Sequence, residues 1–132
     1  MKLTKFDVLK ENSDVILVLA TVENKYGFEM AFDTAATHTT LDSNVLYMSG
    51  YKLKDAVGEI EIETSNGIVV VELYNVKNFE CLGIKKDSLQ IQVYDFAAHG
   101  VASEYAGVLG LNFLKDHKFC VDMIKGEITI NP

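Results

Sequence analysis

The feature that most constrains this chain is strict two-residue alternation. Glu59-Ile60-Glu61-Ile62-Glu63 sends isoleucines to one face and carboxylates to the other. That is the period of a strand and not of a helix. Three carboxylates without partners are costly to bury, so the glutamate face is expected to meet solvent. Asn66-Gly67 follows, and then a second β-rich run over residues 68–73. Asn-Gly between two such runs is a strong hairpin signal, because both central turn positions need positive φ. The fold must therefore hold a two-stranded ribbon with one wet face.

Other runs repeat the theme. Residues 15–22 are a continuous β-branched and aliphatic run. Glu23-Asn24-Lys25 then predicts a turn, and residues 26–32 a returning strand. Residues 88–94 alternate Leu89, Ile91 and Val93 against Gln90 and Gln92. Residues 119–124 and 127–130 flank Lys125-Gly126 and predict a last hairpin. Helical signals are few: Asp42 as a cap for residues 43–48 with a stop at Gly50, and a second short helix over residues 111–118. Residues 1–13 fit either an edge strand or a strand at a subunit interface. Many short strands with frequent turns predict an all-β barrel or sandwich with one or two short helices.

Composition narrows the function. At 132 residues, with 48% hydrophobic and 23% charged residues, the chain is expected to form a single domain, 1–132, with a real core. All 12 basic residues are lysines against 19 acids, for a net charge of −7. The longest basic run is Lys85-Lys86, which excludes nucleic acid as the expected partner. The acid excess gives no pull toward an anionic membrane, and the apolar run at residues 15–20 is too short to span one. No apolar stretch follows Met1-Lys2-Leu3-Thr4-Lys5, so no signal peptide is expected. Cys81 and Cys120 do not make a disulfide framework. Together these predict a reduced, cytoplasmic protein.

Asp33 carries the first chemical signal. It ends the apolar run Phe28-Glu29-Met30-Ala31-Phe32 and precedes Thr34-Ala35-Ala36-Thr37-His38-Thr39. Small side chains leave room for water or substrate beside the acid, and hydroxyls and loop N–H groups can hold it in place. A strand-end Asp that merely caps a turn fits the same residues. Other candidates are thinner. His117-x-x-Cys120 lacks a second pair at metal spacing, since Cys81, His38 and His99 are scattered, so no metal site is expected. Neither cysteine has the surroundings of a nucleophile paired with a histidine. Gly107 and Gly110 form no phosphate loop, because no lysine follows where one is needed.

The order of motifs adds a family resemblance. Phe-Asp-Thr-Ala-Ala-Thr-His-Thr at residues 32–39 resembles the Asp-Thr-Gly-Ala-Thr-His-Thr signature of retropepsin-like aspartic proteases, the small single-lobe family. Gly107-Val108-Leu109-Gly110-Leu111-Asn112-Phe113-Leu114 resembles the family's second signature, and residues 119–130 its terminal hairpin. Thr64-Ser65-Asn66-Gly67 lies between the two signatures, where such proteins carry a flap.

The resemblance implies a closed barrel and an aspartic endopeptidase. Such chemistry needs two carboxyls in contact that share one proton, one acting as base toward water and one as acid toward the scissile carbonyl. The chain holds one such motif, so the pair forms only across a twofold axis, Asp33 against Asp33, in a homodimer. The family further implies Thr34 hydroxyls gripping across that axis, Ala35 orienting the pair through its backbone, and a peptide substrate bound as an added strand. Leu109 and Gly110 would support the catalytic loop, the bare Gly110 allowing close packing beneath it. No metal or organic cofactor is implied. The chain departs from the family where Ala35 replaces glycine. At positive φ its Cβ would cost ~1–2 kcal/mol; at negative φ it would be harmless. The alternative is a catalytically silent barrel that binds peptide or only dimerises.

Overall fold

The computed structural model describes residues 1–7, 15–65, 67–95 and 105–132. In chain order the elements are β1 (Lys2–Lys5), β2 (Leu17–Val22), β3 (Tyr26–Phe32), β4 (Thr40–Asp42) and α1 (Ser43–Met48). A 3-10 turn (Leu53–Asp55) leads to β5 (Gly58–Thr64), β6 (Gly67–Cys81) and β7 (Ile84–Tyr94). The last elements are β8 (Gly107–Leu109), α2 (Leu111–Leu114), β9 (Phe119–Asp122) and β10 (Glu127–Ile130).

Six strands close into a barrel in the order β2-β3-β8-β4-β7-β6, with β6 returning to β2 through Ala20↔Cys81 and Thr21↔Glu80. Closure pairs the backbone groups that an open sheet would leave at its edges. β5 extends the sheet outward from β6, and β1-β10-β9 form a separate three-stranded sheet. Thus the fold is the expected all-β barrel with two short helices. Its interior is filled by Met30, Leu41, Leu46, Tyr74, Phe79, Ile91, Leu109 and Phe113, all fully buried. Each such side chain contributes about 1.5–3 kcal/mol of transfer free energy.

Local chemistry explains the turns. Glu23 and Asn24 take φ of 56° and 58°, which matches the right-handed twist of the β2–β3 hairpin. Leu82 (55°) and Gly83 (76°) do the same between β6 and β7. The β5–β6 hairpin has Thr64 opposite Gly67, whose φ is 107°. Asn66 lies outside the described residues. Glu59, Glu61 and Glu63 are exposed as expected, and Ile60 and Ile62 are half-buried on the other face. Ile68 and Val70 stand opposite Glu63 and Glu61, so they share the wet face and are 68% and 60% exposed.

Several elements differ from the sequence expectation. β6 continues past Leu73 to Cys81. Asn78 takes φ of 53° there, and the inward phase moves from Tyr74 and Val76 to Phe79 and Cys81, which hides the alternation. α2 stops at Leu114 instead of reaching residue 118. His117 is held sideways, between the Lys86 ammonium at 2.7 Å and the Asn131 carbonyl at 2.8 Å, and the chain turns there into β9. Asp42 precedes α1 without a side-chain capping bond. β4 falls in a stretch expected to be loop. β1 is an edge strand that pairs with β10 of its own chain, Lys2↔Ile130 through Lys5↔Glu127.

Candidate active site

Asp33 leaves β3 where that strand runs parallel to β8, with Phe32 opposite Leu109. Its N–H donates to the Leu109 carbonyl at 3.1 Å, so the pairing carries on into the loop. The carboxylate Oδ1 accepts the Ala35 N–H at 2.8 Å, and the Asp33 carbonyl accepts the Ala36 N–H at 3.3 Å. This Asx-type turn fixes the carboxyl just past the end of β3. Asp33 is half-buried, and Thr34 and Ala35 are exposed. Among the described residues Glu23, Asn24, Asn78 and Leu82 are the non-glycines with positive φ. Ala35 is outside that region, so its methyl group strains nothing in the backbone.

A second loop supports the first. The Leu111 N–H donates to the Ala36 carbonyl at 2.8 Å, and the Asn112 N–H to the Thr37 carbonyl at 3.2 Å. Thr39 is fully buried. Its N–H and its hydroxyl both donate to Asn112 Oδ1, at 2.8 and 2.7 Å, and its Oγ1 accepts the Gly110 N–H at 3.1 Å. The Asn112 amide donates onward to the Gln90 carbonyl at 2.6 Å. A Cβ on Gly110 would lie 2.6 Å from the His38 carbonyl carbon and 2.8 Å from the Ala36 oxygen. Only glycine lets the two loops approach this closely.

Asp33 borders two hollows. One, of about 320 Å³, is also lined by Thr40, Gln92 and Val108 and by Ile62 and Thr64 of β5. The other, of about 460 Å³, is lined by Ile16, Phe32, Val108 and Met123, the last from the β9–β10 turn. Phe32 meets Phe119 of β9 edge-on at 5.7 Å. A larger hollow of about 640 Å³ lies away from Asp33, beside Glu23, Tyr51 and Lys77. There the Tyr51 hydroxyl donates to the Glu23 carboxylate and accepts the Lys77 N–H at 2.8 Å. Burial, and then that carboxylate, push Tyr51 up to about 12.

The structure therefore brings Asp33, Thr64, Leu109 and Gly110 into one region, with Thr34 and Ala35 exposed beside the acid. Ser65 and Gly67, expected in a flap, are exposed at the β5–β6 turn, where the Thr64 hydroxyl donates to the Gly67 carbonyl at 2.8 Å. Sequence reasoning missed Thr39, Thr40, Gln92 and Asn112. A polar residue inside each signature, Thr39 and Asn112, was the available signal. Both ring nitrogens of His117 are engaged as described, and His99 lies outside the described residues. Cys81 is buried and its thiol contacts the Leu19 carbonyl at 3.4 Å. Cys120 is exposed. Among the described residues no three His, Cys, Asp or Glu side chains cluster as metal ligands, and no helix is long and apolar enough to cross a membrane.

Asp33 at the end of β3, a glycine-packed second loop and a hairpin whose Ile62 and Thr64 share a hollow with Asp33 lie together on a closed barrel. The aspartyl protease family model matches residues 18–113, and the chain belongs to that family. Its fold is retropepsin-like: it is similar to the crystal structure of a retropepsin-like aspartic protease from Rickettsia conorii, with a TM-score of 0.71 over 99% of each chain at 17% identity. At that identity the likeness speaks for the fold alone. No curated protein matches the chain.

Proposed function

We propose that the chain is an aspartic endopeptidase that acts as a homodimer on peptide or protein substrates. The carrying observation is the Asp33 carboxyl, pinned by the Ala35 N–H and placed between two hollows. Two Asp33 carboxyls meeting across a twofold axis share one proton. The ionised one takes a proton from water as it attacks the scissile carbonyl, and the protonated one donates to the developing oxyanion. Thr34 and the Ala35 backbone orient the pair. The flap, Thr64 to Gly67, closes over an extended peptide held by main-chain hydrogen bonds.

The two hollows divide the labour. The one under Ile62 and Thr64 faces the flap and takes the peptide. We assign the one beside Met123 to the partner, because it opens beside the β9–β10 turn and away from the β5–β6 hairpin residues that line the other. Ile124, at the same turn, is 93% exposed. Met123 beside it is 44% exposed, and we assign this pair of apolar side chains to the subunit contact. The relaxed φ at Ala35 removes the backbone objection to alanine in place of glycine. The whole chain, 1–132, works as one cytoplasmic domain without metal or organic cofactor, and its net charge of −7 keeps it from nucleic acid and anionic membranes. The silent-barrel reading rests on the Ala35 methyl standing beside the acid.

Peptide cleavage by the parent and by Asp33→Asn across pH 3–8 decides between them. Loss of cleavage in the variant is expected. Equal cleavage would overturn the mechanism, and a parent that cleaves nothing but binds peptide would favour the silent barrel.

A further inference from the structure

Between Gly67 and Glu72, β6 pairs with β5 alone among the described residues, because its pairing with β7 begins at Leu73↔Gln92. The two strands form a ribbon with two faces, and residues directly opposite each other share a face. One face carries Ile60, Ile62 and Val71, and Ile62 lines the hollow beside Asp33. The other carries Glu59, Glu61 and Glu63 of β5 with Ile68, Val70 and Glu72 of β6. Ile68 and Val70 are largely exposed. They stand two positions apart on one strand, about 7 Å, so they form one apolar strip and not two scattered side chains. Four carboxylates border that strip, and among the described residues the face carries no base. Glu59 lies directly opposite Glu72, and like charges in that position weaken a strand pair.

We infer that this outer face of the β5–β6 ribbon docks a cationic segment of another protein, whose aliphatic side chains cover Ile68 and Val70 while its lysines or arginines meet the carboxylates. Charge decides the occupant. A second copy of the same face would set four carboxylates against four, and an anionic membrane would meet the same repulsion. A base placed between Glu59 and Glu72 relieves the repulsion built into the ribbon and attracts both carboxylates at once. An extended segment repeats its side chains along one side at the spacing of the ribbon's own, so bases and aliphatic groups can alternate in register with it. The strip lies on the face turned away from the Asp33 hollow. Docking there leaves the hollow open, and it stands whether or not the chain cleaves peptides.

The test is fluorescence anisotropy on the full chain carrying Asp33→Asn, so that the probe stays intact under the proposed mechanism. The probe is a labelled decapeptide of Lys-Lys-Val-Val repeats ending in Lys-Lys, which shows lysine and valine alternately on each side when extended. It should bind about 10-fold more tightly than the same peptide with glutamate for lysine, and about 5-fold more tightly than the one with serine for valine. Adding Glu59→Gln, Glu61→Gln and Glu63→Gln together should weaken binding about 10-fold, and Ile68→Ser with Val70→Ser about 5-fold. Removing the same charge from exposed positions elsewhere, by Glu29→Gln, Glu80→Gln and Asp87→Asn, should leave binding unchanged. All these changes are outside the core, and thermal melting checks the fold. Failure of the lysine–valine probe to bind overturns the inference without any variant. So does an equal loss when the distant charges are removed, which would mean general attraction to an acidic chain, and so does undiminished binding without Ile68 and Val70.

Discussion

Asn112 Oδ1 accepts two hydrogen bonds from one residue, Thr39, whose N–H and hydroxyl lie 2.8 and 2.7 Å away across 73 positions of chain. The pair ties the loop after β3 to the start of α2. With Gly110 donating to the same hydroxyl, every polar atom of the buried Thr39 side chain is used. The Asp33 loop is thereby held by a second loop and not only by its own turn.

Removing that support should be felt at a distance from the acid. Asn112→Ala leaves the Thr39 donors without their acceptor and the Gln90 carbonyl without its donor. The expected loss is about 1–3 kcal/mol, read as a lower urea midpoint. Peptide cleavage should fall as well, since the Asp33 loop loses its anchor.

Gly110→Ala should be worse for its size than most single-methyl changes. The added Cβ meets backbone at 2.6–2.8 Å on three atoms, where no side chain can rotate away. Overpacking of this kind costs about 1–3 kcal/mol or more. Thermal melting should show the loss, and Asp33-dependent cleavage should fall even at temperatures where the variant stays folded.

The proposed subunit contact has its own signature. Ile124→Lys puts a charge at the tip of the β9–β10 turn without touching the buried core. Sedimentation should show a weaker dimer, and specific activity should drop with dilution more steeply than in the parent. The melting temperature should become less dependent on protein concentration. A variant that dimerises like the parent would place the contact elsewhere.

Alkaline conditions should destabilise the fold through Cys81. Burial pushes its thiol from 9.0 to about 12, so the folded state keeps the proton where the unfolded state has released it. That contribution is complete below pH 9 and is lost as pH rises toward 12. Tyr74 and Tyr51, pushed by burial from 10.0 to about 12, act in the same direction over the upper part of that window. Chemical denaturation at pH 8, 9.5 and 11 should show a falling midpoint. Cys81→Ala should shallow the early part of the fall.

Local sequence carried much of this architecture. β3 and β10 begin and end where their patterns do, α1 spans the residues expected of it, and the glutamate stripe faces water because alternation leaves it no other place. Asp33 was legible as a candidate because one short stretch holds acid, hydroxyls and small residues together. β4 was not legible, because a three-residue strand with no alternation of its own exists only through pairing with β7 and β8.

Gln92 shows the same boundary more sharply. Beside Gln90 in an alternating run, it looks like one more residue on a solvated face. Gln90 is indeed exposed, whereas Gln92, two positions on, faces the hollow beside Asp33. Side-chain period is a property of the single strand and was set by the amino-acid order alone. What each face meets was settled by barrel closure, which brought residues 52 and 73 positions apart within hydrogen-bonding distance. Polar groups gain partners or become orphans only when distant strands meet, and no local pattern encodes that.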